Sequence, residues 1–183
     1  MKLPTIICEA GVNHQGDVRI AKKLMMMAAS CGVNLIKFQK RDVETSTPSN
    51  LRDVMRSSIW SDGEMISNID HRRKIELGRA DYDQIGAFAV DNNLSWFASI
   101  WDTPSLEFMG SYRPHYLKIP SALITNLELV QMAALRTKQW GGRLMISSGM
   151  SSLDEIDTAI DIVGRAGVKR PILLHCHSGY PAD

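Results

Sequence analysis

Nowhere does this chain hold an apolar run near the roughly 18 to 20 residues that a bilayer crossing needs. Its start, Met1-Lys2-Leu3-Pro4, lacks the apolar core of a secretion signal. No charge of one sign dominates: 21 Lys and Arg stand against 20 Asp and Glu, a net charge of +1. That balance leaves no electrostatic footprint for wrapping nucleic acid or lying on an acidic membrane. Cysteine is scarce and odd in number. Cys8, Cys31 and Cys176 lack zinc-type spacing, and they read as small hydrophobes packed in a reducing compartment. Internal repeats and low-complexity tracts are absent too. These absences predict a cytoplasmic protein without nucleic-acid or membrane partners.

What is present is 183 residues, 44% of them hydrophobic, enough for one sizeable core and one domain over 1–183. Short apolar segments alternate with helical patterns, the signature of βα units and a mostly parallel sheet. Six strands are predicted, at Thr5–Ala10, Leu35–Gln39, Trp96–Ile100, Tyr116–Ile119, Leu144–Ser147 and Ile172–Cys176. Asp17 caps a helix whose apolar stripe is Ile20, Leu24, Met27, Ala28 and Cys31, stopped by Gly32, so the Met25-Met26-Met27 run reads as core. Asp81 with Gln84, and Ser152 with Glu155, resemble capping boxes. Thr103-Pro104 and Asn126 mark two more helix starts. Lys40 to Arg79 breaks the rhythm; so long and polar a stretch is an active-site flap with a short helix of its own, or an exposed linker.

Residues i and i+2 share a face of a strand. That rule puts Glu9 with Gly11, Lys37 with Gln39, Ser147 with Gly149 and His175 with His177 at strand carboxyl ends, with Lys118 closing the fourth strand. Cys8, Phe38, Ile119, Ile146 and Cys176 take the opposite face. Charged groups at the carboxyl ends of parallel strands are costly to bury unless they bind something, and α/β enzymes keep their sites there. Each lysine has a bland reading as an edge residue, but two of them favour a shared phosphate or carboxylate. Glu9 is their counter-ion or a proton-transfer and hydroxyl-binding group. Thr103, Ser121 and Ser147-Ser148-Gly149 offer hydroxyls and backbone N–H groups to anion oxygens. His175 and His177 make half a metal site, or serve hydrogen bonding or packing. His14 has a site role or a turn role, while His71 and His115 read as surface residues.

Five segments, in order, resemble a known family. They are Ile7 to Asp17 (with Glu9-Ala10-Gly11-Val12-Asn13-His14-Gln15-Gly16), Ile36-Lys37-Phe38-Gln39-Lys40, Tyr116-Leu117-Lys118-Ile119-Pro120-Ser121, Ile146-Ser147-Ser148-Gly149-Met150 and Leu174-His175-Cys176-His177-Ser178-Gly179-Tyr180-Pro181. These are similar to the strand-end motifs of the sialic acid synthases, including the pseudaminic and legionaminic acid synthases. The resemblance implies a TIM-type (β/α)8 barrel and condensation of phosphoenolpyruvate with an open-chain N-acetylated sugar such as N-acetylmannosamine, releasing phosphate. It implies Lys37, Thr103, Lys118, Ser121 and Ser147 on the phosphate and carboxylate of phosphoenolpyruvate. Gln39, Ser178 and Tyr180 then lie near the sugar, and Glu9 near the reacting carbons as an acid/base group. Lysines suit this chemistry because the anion's charge must be neutralised where the substrates meet.

Three departures accompany the resemblance. The family's Lys-x-Gly-Ser-Gly-Asp/Glu stretch reads Lys118-Ile119-Pro120-Ser121-Ala122-Leu123, and His177 stands where the family usually has Thr. The third is length: a whole barrel takes about 250 residues, so the expectation is a barrel truncated after its sixth strand. The resemblance implies a divalent metal, Mn²⁺ or Mg²⁺, whose two family histidines lie on later strands, leaving His175 and His177 as the remaining candidates. It also implies a homodimer and a C-terminal antifreeze-like domain, absent here, that lends an arginine to the neighbouring subunit. The alternative expectation is an inactive truncated barrel that binds a small anion, or one completed by a C-terminal partner chain. A third reading changes the sugar, as in the phosphoenolpyruvate-condensing synthases of seven- and eight-carbon sugar acids.

Overall fold

The computed structural model describes residues 4–179. Its elements run β1 (Cys8–Gly11), α1 (Val18–Ser30), β2 (Leu35–Lys40), α2 (Val43–Ser46), β3 (Met55–Ser57), β4 (Met65–Ser67), α3 (Asn68–Ile75), α4 (Arg79–Asp91) and β5 (Ser95–Ile100). Then follow α5 (Thr103–Tyr112), β6 (Tyr116–Ile119), α6 (Leu127–Gln139), β7 (Arg143–Ser147), α7 (Leu153–Arg165) and β8 (Ile172–Leu174). Six strands form one sheet in the order β1-β2-β5-β6-β7-β8, and β3 and β4 form a separate antiparallel pair. In the large sheet β1 runs parallel to β2, and β6 runs parallel to β5 and β7, as does β8 to β7. Helices fill the strand-to-strand connections, the α/β arrangement of a TIM-type barrel through its sixth strand. The chain divides into two compact units, Met1–Trp96 and Phe97–Asp183.

In the first unit β2 is buried along almost its whole length, as a parallel strand covered on both faces must be. Phe38, Tyr82, Ile36, Ile85 and Met25 are fully buried. Phe38 meets Tyr82 edge-on at 6.3 Å, and Tyr82 meets Trp96 at 5.4 Å between centroids. Helix α1 begins as expected, with the Asp17 carboxylate accepting from the Arg19 N–H at 2.7 Å. Its buried face keeps Ala28 of the expected stripe and Met25 of the methionine run, and adds Ala21. Met26 and Met27 are exposed and so is Cys31. The helix carries two apolar stripes, and the one built on small Ala21 and Ala28 permits the closer approach. Helix α4 also starts differently. Gly78 is its N-cap, and Asp81, three residues in, reaches back to accept from the Gly78 N–H at 2.9 Å. Gln84 instead accepts from Lys22 at 3.1 Å.

The long polar segment is ordered into α2, a turn of 3-10 helix at Ser49–Leu51, the β3–β4 hairpin and α3. Glu44 gathers Arg52 and Arg73 at 3.0 and 2.6 Å, and the Asn68 side chain donates to the Leu51 carbonyl at 3.0 Å. His71, expected on the surface, is buried, its ring 5.2 Å from that of Trp60. It lies on the inward face of α3 with Ile75, four residues on.

The second unit is built on Phe97, Ile100, Leu117, Ile119 and Ile146, all fully buried, with Leu106, Met109, Val130 and Val163 from the helices. Asn126 caps α6, accepting from the Leu129 N–H at 3.1 Å. Ser152 and Glu155 form the expected reciprocal capping box on α7. Helix α5 is capped by Asp102, which places Thr103 at its first position and Pro104 just inside. Strand β8 ends at Leu174, so His175 to His177, expected on a strand face, lie in the segment beyond it.

Candidate functional site

In the first unit the site begins with register. Cys8 pairs with Ile36 and Glu9 with Lys37, but Gly11 then pairs with Phe38, a bulge that leaves Ala10 as the extra residue. Gly11 takes φ +54°, a left-handed conformation that glycine adopts without cost. A Cβ at Gly11 would stand 3.0 Å from Glu9 Oε1 and 3.6 Å from Gln39 Nε2. Glycine thus leaves the gap that the Glu9 carboxylate and the Gln39 amide flank.

Lys37 Nζ lies 2.5 Å from Glu9 Oε2; the lysine side chain is 10% exposed and the glutamate 49%. A buried ammonium facing an open carboxylate holds its charge at a strand end, while the carboxylate keeps lone pairs for an incoming hydroxyl. Gln39 receives a hydrogen bond from Arg41 Nη2 onto Oε1 at 2.5 Å, and its backbone carbonyl accepts from the Tyr82 hydroxyl at 3.0 Å. Behind it Glu76 accepts from Lys40 Nζ at 2.8 Å and from the Arg41 backbone N–H at 3.1 Å. Burial pushes the Glu76 carboxyl up, and Lys40 and Arg41 pull it back. Sequence reasoning missed both Arg41 and Glu76. Alternation carried one step past Gln39 would have flagged Arg41, because β2 runs on to Lys40. Glu76 carries no such signal, since it meets Arg41 from 35 residues away along the chain.

His14 is buried, and its Nδ1 accepts from the Gly16 N–H at 3.1 Å, a turn role. Burial lowers its pKa to about 4. The loop that carries it is covered by the long segment: Trp60 Nε1 donates to the Gln15 carbonyl at 3.3 Å, and the Lys74 ammonium lies 4.4 Å over the Trp60 ring.

In the second unit the ends of β6 and β7 and the residues after β8 are drawn close by one glycine. Gly149 N–H donates to Ser121 Oγ at 3.1 Å. A Cβ at Gly149 would overlap Ser178 Oγ and stand 3.0 Å from Ser121 Oγ. Ser148 bonds the Leu174 carbonyl through both its N–H, at 3.0 Å, and its hydroxyl, at 3.1 Å. Ser147 Oγ is buried with no hydrogen-bond partner among the described residues. Lys118, half-buried, pairs in register with Ser99 and Met145. Pro120 leads into a single 3-10 turn, Ser121–Leu123, which turns Ser121 toward Gly149. Thr103 is exposed at the first turn of α5. Tyr180 lies outside the described residues. His175 and His177 are both exposed, and among the described residues no three His, Cys, Asp or Glu side chains gather as a metal site. His175 and His177 thus have no third His, Cys, Asp or Glu gathered with them among the described residues, fewer than a protein-built metal site takes. No helix among them is long and apolar enough to cross a membrane.

Comparison with known proteins gives this geometry a family. The sequence is 32% identical over 186 residues to the N,N'-diacetyllegionaminic acid synthase of Campylobacter jejuni, covering all of this chain and 54% of that protein. It is 32% identical to the N-acetylneuraminate-9-phosphate synthase of Drosophila melanogaster, covering 97% of this chain and 46% of that one. Among solved structures, the N-acetylneuraminic acid (sialic acid) synthetase of Leptospira borgpetersenii, in complex with citrate, superposes with a TM-score of 0.82. It shares 30% identity and covers 100% of this chain and 57% of its own. The chain spans about half the length of the relatives it matches. The pattern of the NeuB family matches residues 24–183, and the chain belongs to that family.

Proposed function

We propose that the chain serves a nonulosonic acid synthase reaction, in which phosphoenolpyruvate condenses with an N-acylated hexosamine in its open-chain form. The observation that carries this reading is the Glu9–Lys37 pair at 2.5 Å, flanked by Gln39 across Gly11. A fixed cation next to a solvent-open carboxylate suits an anionic enol ester attacking an aldehyde. The enol carbon of phosphoenolpyruvate bonds to the sugar aldehyde carbon, whose oxygen takes a proton. Water then adds to the resulting cation, and the C–O bond to phosphate collapses to leave the 2-keto acid and inorganic phosphate.

Each residue has a role within its own unit. Lys37 neutralises negative charge, Glu9 is the acid/base group near the reacting carbons, and Gln39 hydrogen-bonds the sugar. In the second unit Lys118, Ser121, Ser147 and Thr103 take the phosphate and carboxylate, and Ser178 serves the sugar, as does Tyr180 by its place in the sequence motif. Lys118 with three hydroxyl groups is a donor set suited to an anion.

Calorimetric titration with phosphoenolpyruvate tests the assignment. Lys37→Ala and Lys118→Ala are each expected to lose binding by at least about tenfold, in keeping with a charge-assisted contact, with the fold retained by circular dichroism. Equal affinity in wild type and both variants sinks it. A second reading, anion binding without turnover, is favoured by the lack of a gathered metal-ligand set among the described residues. Phosphate release with Mn²⁺ and N-acetylmannosamine separates the two: sugar-dependent release supports the synthase, while binding without release supports the second.

A further inference from the structure

We infer that Arg41, held by Glu76, is a positioning residue that fixes the orientation of the Gln39 amide and so makes Gln39 a donor toward the ligand. A guanidinium carries donors and no acceptor, so it can meet a side-chain amide through the amide oxygen alone. Arg41 Nη2 does so, reaching Gln39 Oε1 at 2.5 Å. The amide nitrogen is thereby turned away from Arg41, and it is this atom, Nε2, that lies 3.6 Å from where a Gly11 Cβ would be, beside Glu9 Oε1. Turning the amide over would set NH₂ against a guanidinium, donor against donor.

Arg41 is itself held. It is 8% exposed; its backbone N–H donates to Glu76 Oε1 at 3.1 Å, and its Nε lies 3.8 Å from Glu76 Oε2. Glu76 also takes Lys40 Nζ at 2.8 Å, while Lys40 reaches the Leu77 carbonyl at 3.0 Å. The carboxylate that orients Arg41 thus stands just before α4, in the segment that closes over the end of β2. Glu76 fixes the Arg41 backbone by a hydrogen bond and attracts its buried guanidinium by charge at 3.8 Å. Gln39 Oε1 is occupied from within the protein, and the ligand meets N–H. The sugar atom at that position is consequently an acceptor, such as the N-acyl carbonyl or a hydroxyl lone pair, and an ammonium there is rejected. This chemistry rests on the sugar-binding role proposed above for Gln39; the orientation of the amide does not.

Two measurements on the full chain keep these apart. The first follows the Gln39 side-chain NH₂ signals by NMR in glutamine-¹⁵N-labelled protein, assigned by their loss in Gln39→Met. Arg41→Met is expected to shift them and speed their hydrogen exchange at least about tenfold, and Arg41→Lys, which still donates to Oε1, to restore part of the protection. Unchanged signals in Arg41→Met overturn the inference; where that variant does not fold, the same comparison is made with Arg41→Gln. The second is calorimetry with N-acetylmannosamine and mannosamine. Wild type is expected to bind the acetylated sugar, and Arg41→Met to bind it roughly ten- to a hundredfold more weakly with phosphoenolpyruvate affinity unchanged. A wild type that binds neither sugar overturns the sugar role while the NMR result still decides the orientation. Equal sugar affinity in wild type and Arg41→Met, with weakened binding in Gln39→Met, overturns Arg41 as a positioning residue.

Discussion

Glu9 and Lys37 are partners in unequal surroundings. The Lys37 side chain is 10% exposed and that of Glu9 49%. Removing the lysine leaves a carboxylate that water can reach, whereas removing the glutamate takes a counter-charge from a buried ammonium, the more costly change. Lys37→Met is therefore expected to alter stability by no more than about 1 kcal/mol, and Glu9→Gln to cost roughly 2 to 3 kcal/mol, read from urea midpoints. Equal losses in the two variants would refute the asymmetry. At this scale the sequence is legible where alternation reaches: Glu9, Gly11, Lys37 and Gln39 follow from counting residues along strands. It fails at His71, where a run of charged neighbours, Asp70 and Arg72 to Lys74, conceals an inward-facing position on a helix. It fails again at Arg41, just past the end of the strand expected at Leu35–Gln39.

Elements meet in this protein where side chains are missing. Gly16, at φ +81°, has the Lys74 carbonyl oxygen standing in the place a Cβ would need, whereas Gly32, at φ +76°, has nothing within 4 Å. The two share a left-handed backbone and differ in what surrounds it, so they separate strain from packing. Gly32→Ala is expected to cost about 1 to 2 kcal/mol, the left-handed penalty alone. Gly16→Ala adds a backbone clash and is expected to cost roughly 3 kcal/mol or more, with a correspondingly larger fall in melting temperature. The contact with Lys74 ties the loop after β1 to α3, which a linear reading of sequence has no means to pair. Local signals, by contrast, are readable: Asp17, Asn126 and Ser152 cap their helices as expected. The start of α4 is hidden because Gly78 offers no side chain to announce a cap, and Asp81 works backward from the third helical position.

Taken whole, the chain answers to pH through His14. Its folded pKa of about 4 lies below the ordinary 6.5 because burial disfavours the charged ring. As pH falls the unfolded chain takes up the proton first. The stabilisation is thus complete above 6.5 and is lost progressively as pH drops toward 4, by roughly 3 kcal/mol across the window. His71, lowered by burial and then by Arg56 and Arg72, acts in the same direction. Urea midpoints at pH 7 and pH 5 are expected to differ less in His14→Gln than in wild type, and an unchanged difference would remove His14 as the source. The sheet itself is legible as six alternating apolar segments, since the βα rhythm is a property of the entire sequence; the β3–β4 hairpin, short and polar, carries no such rhythm. That hairpin has a practical consequence. Its tip, Asp62-Gly63-Glu64, is exposed, and Gly63 has open space around it, while Trp60, earlier in the same connecting loop, donates to the Gln15 carbonyl in the loop after β1. A tag or reporter peptide spliced in at Gly63 would meet open space and exposed neighbours, giving a handle for immobilising the protein.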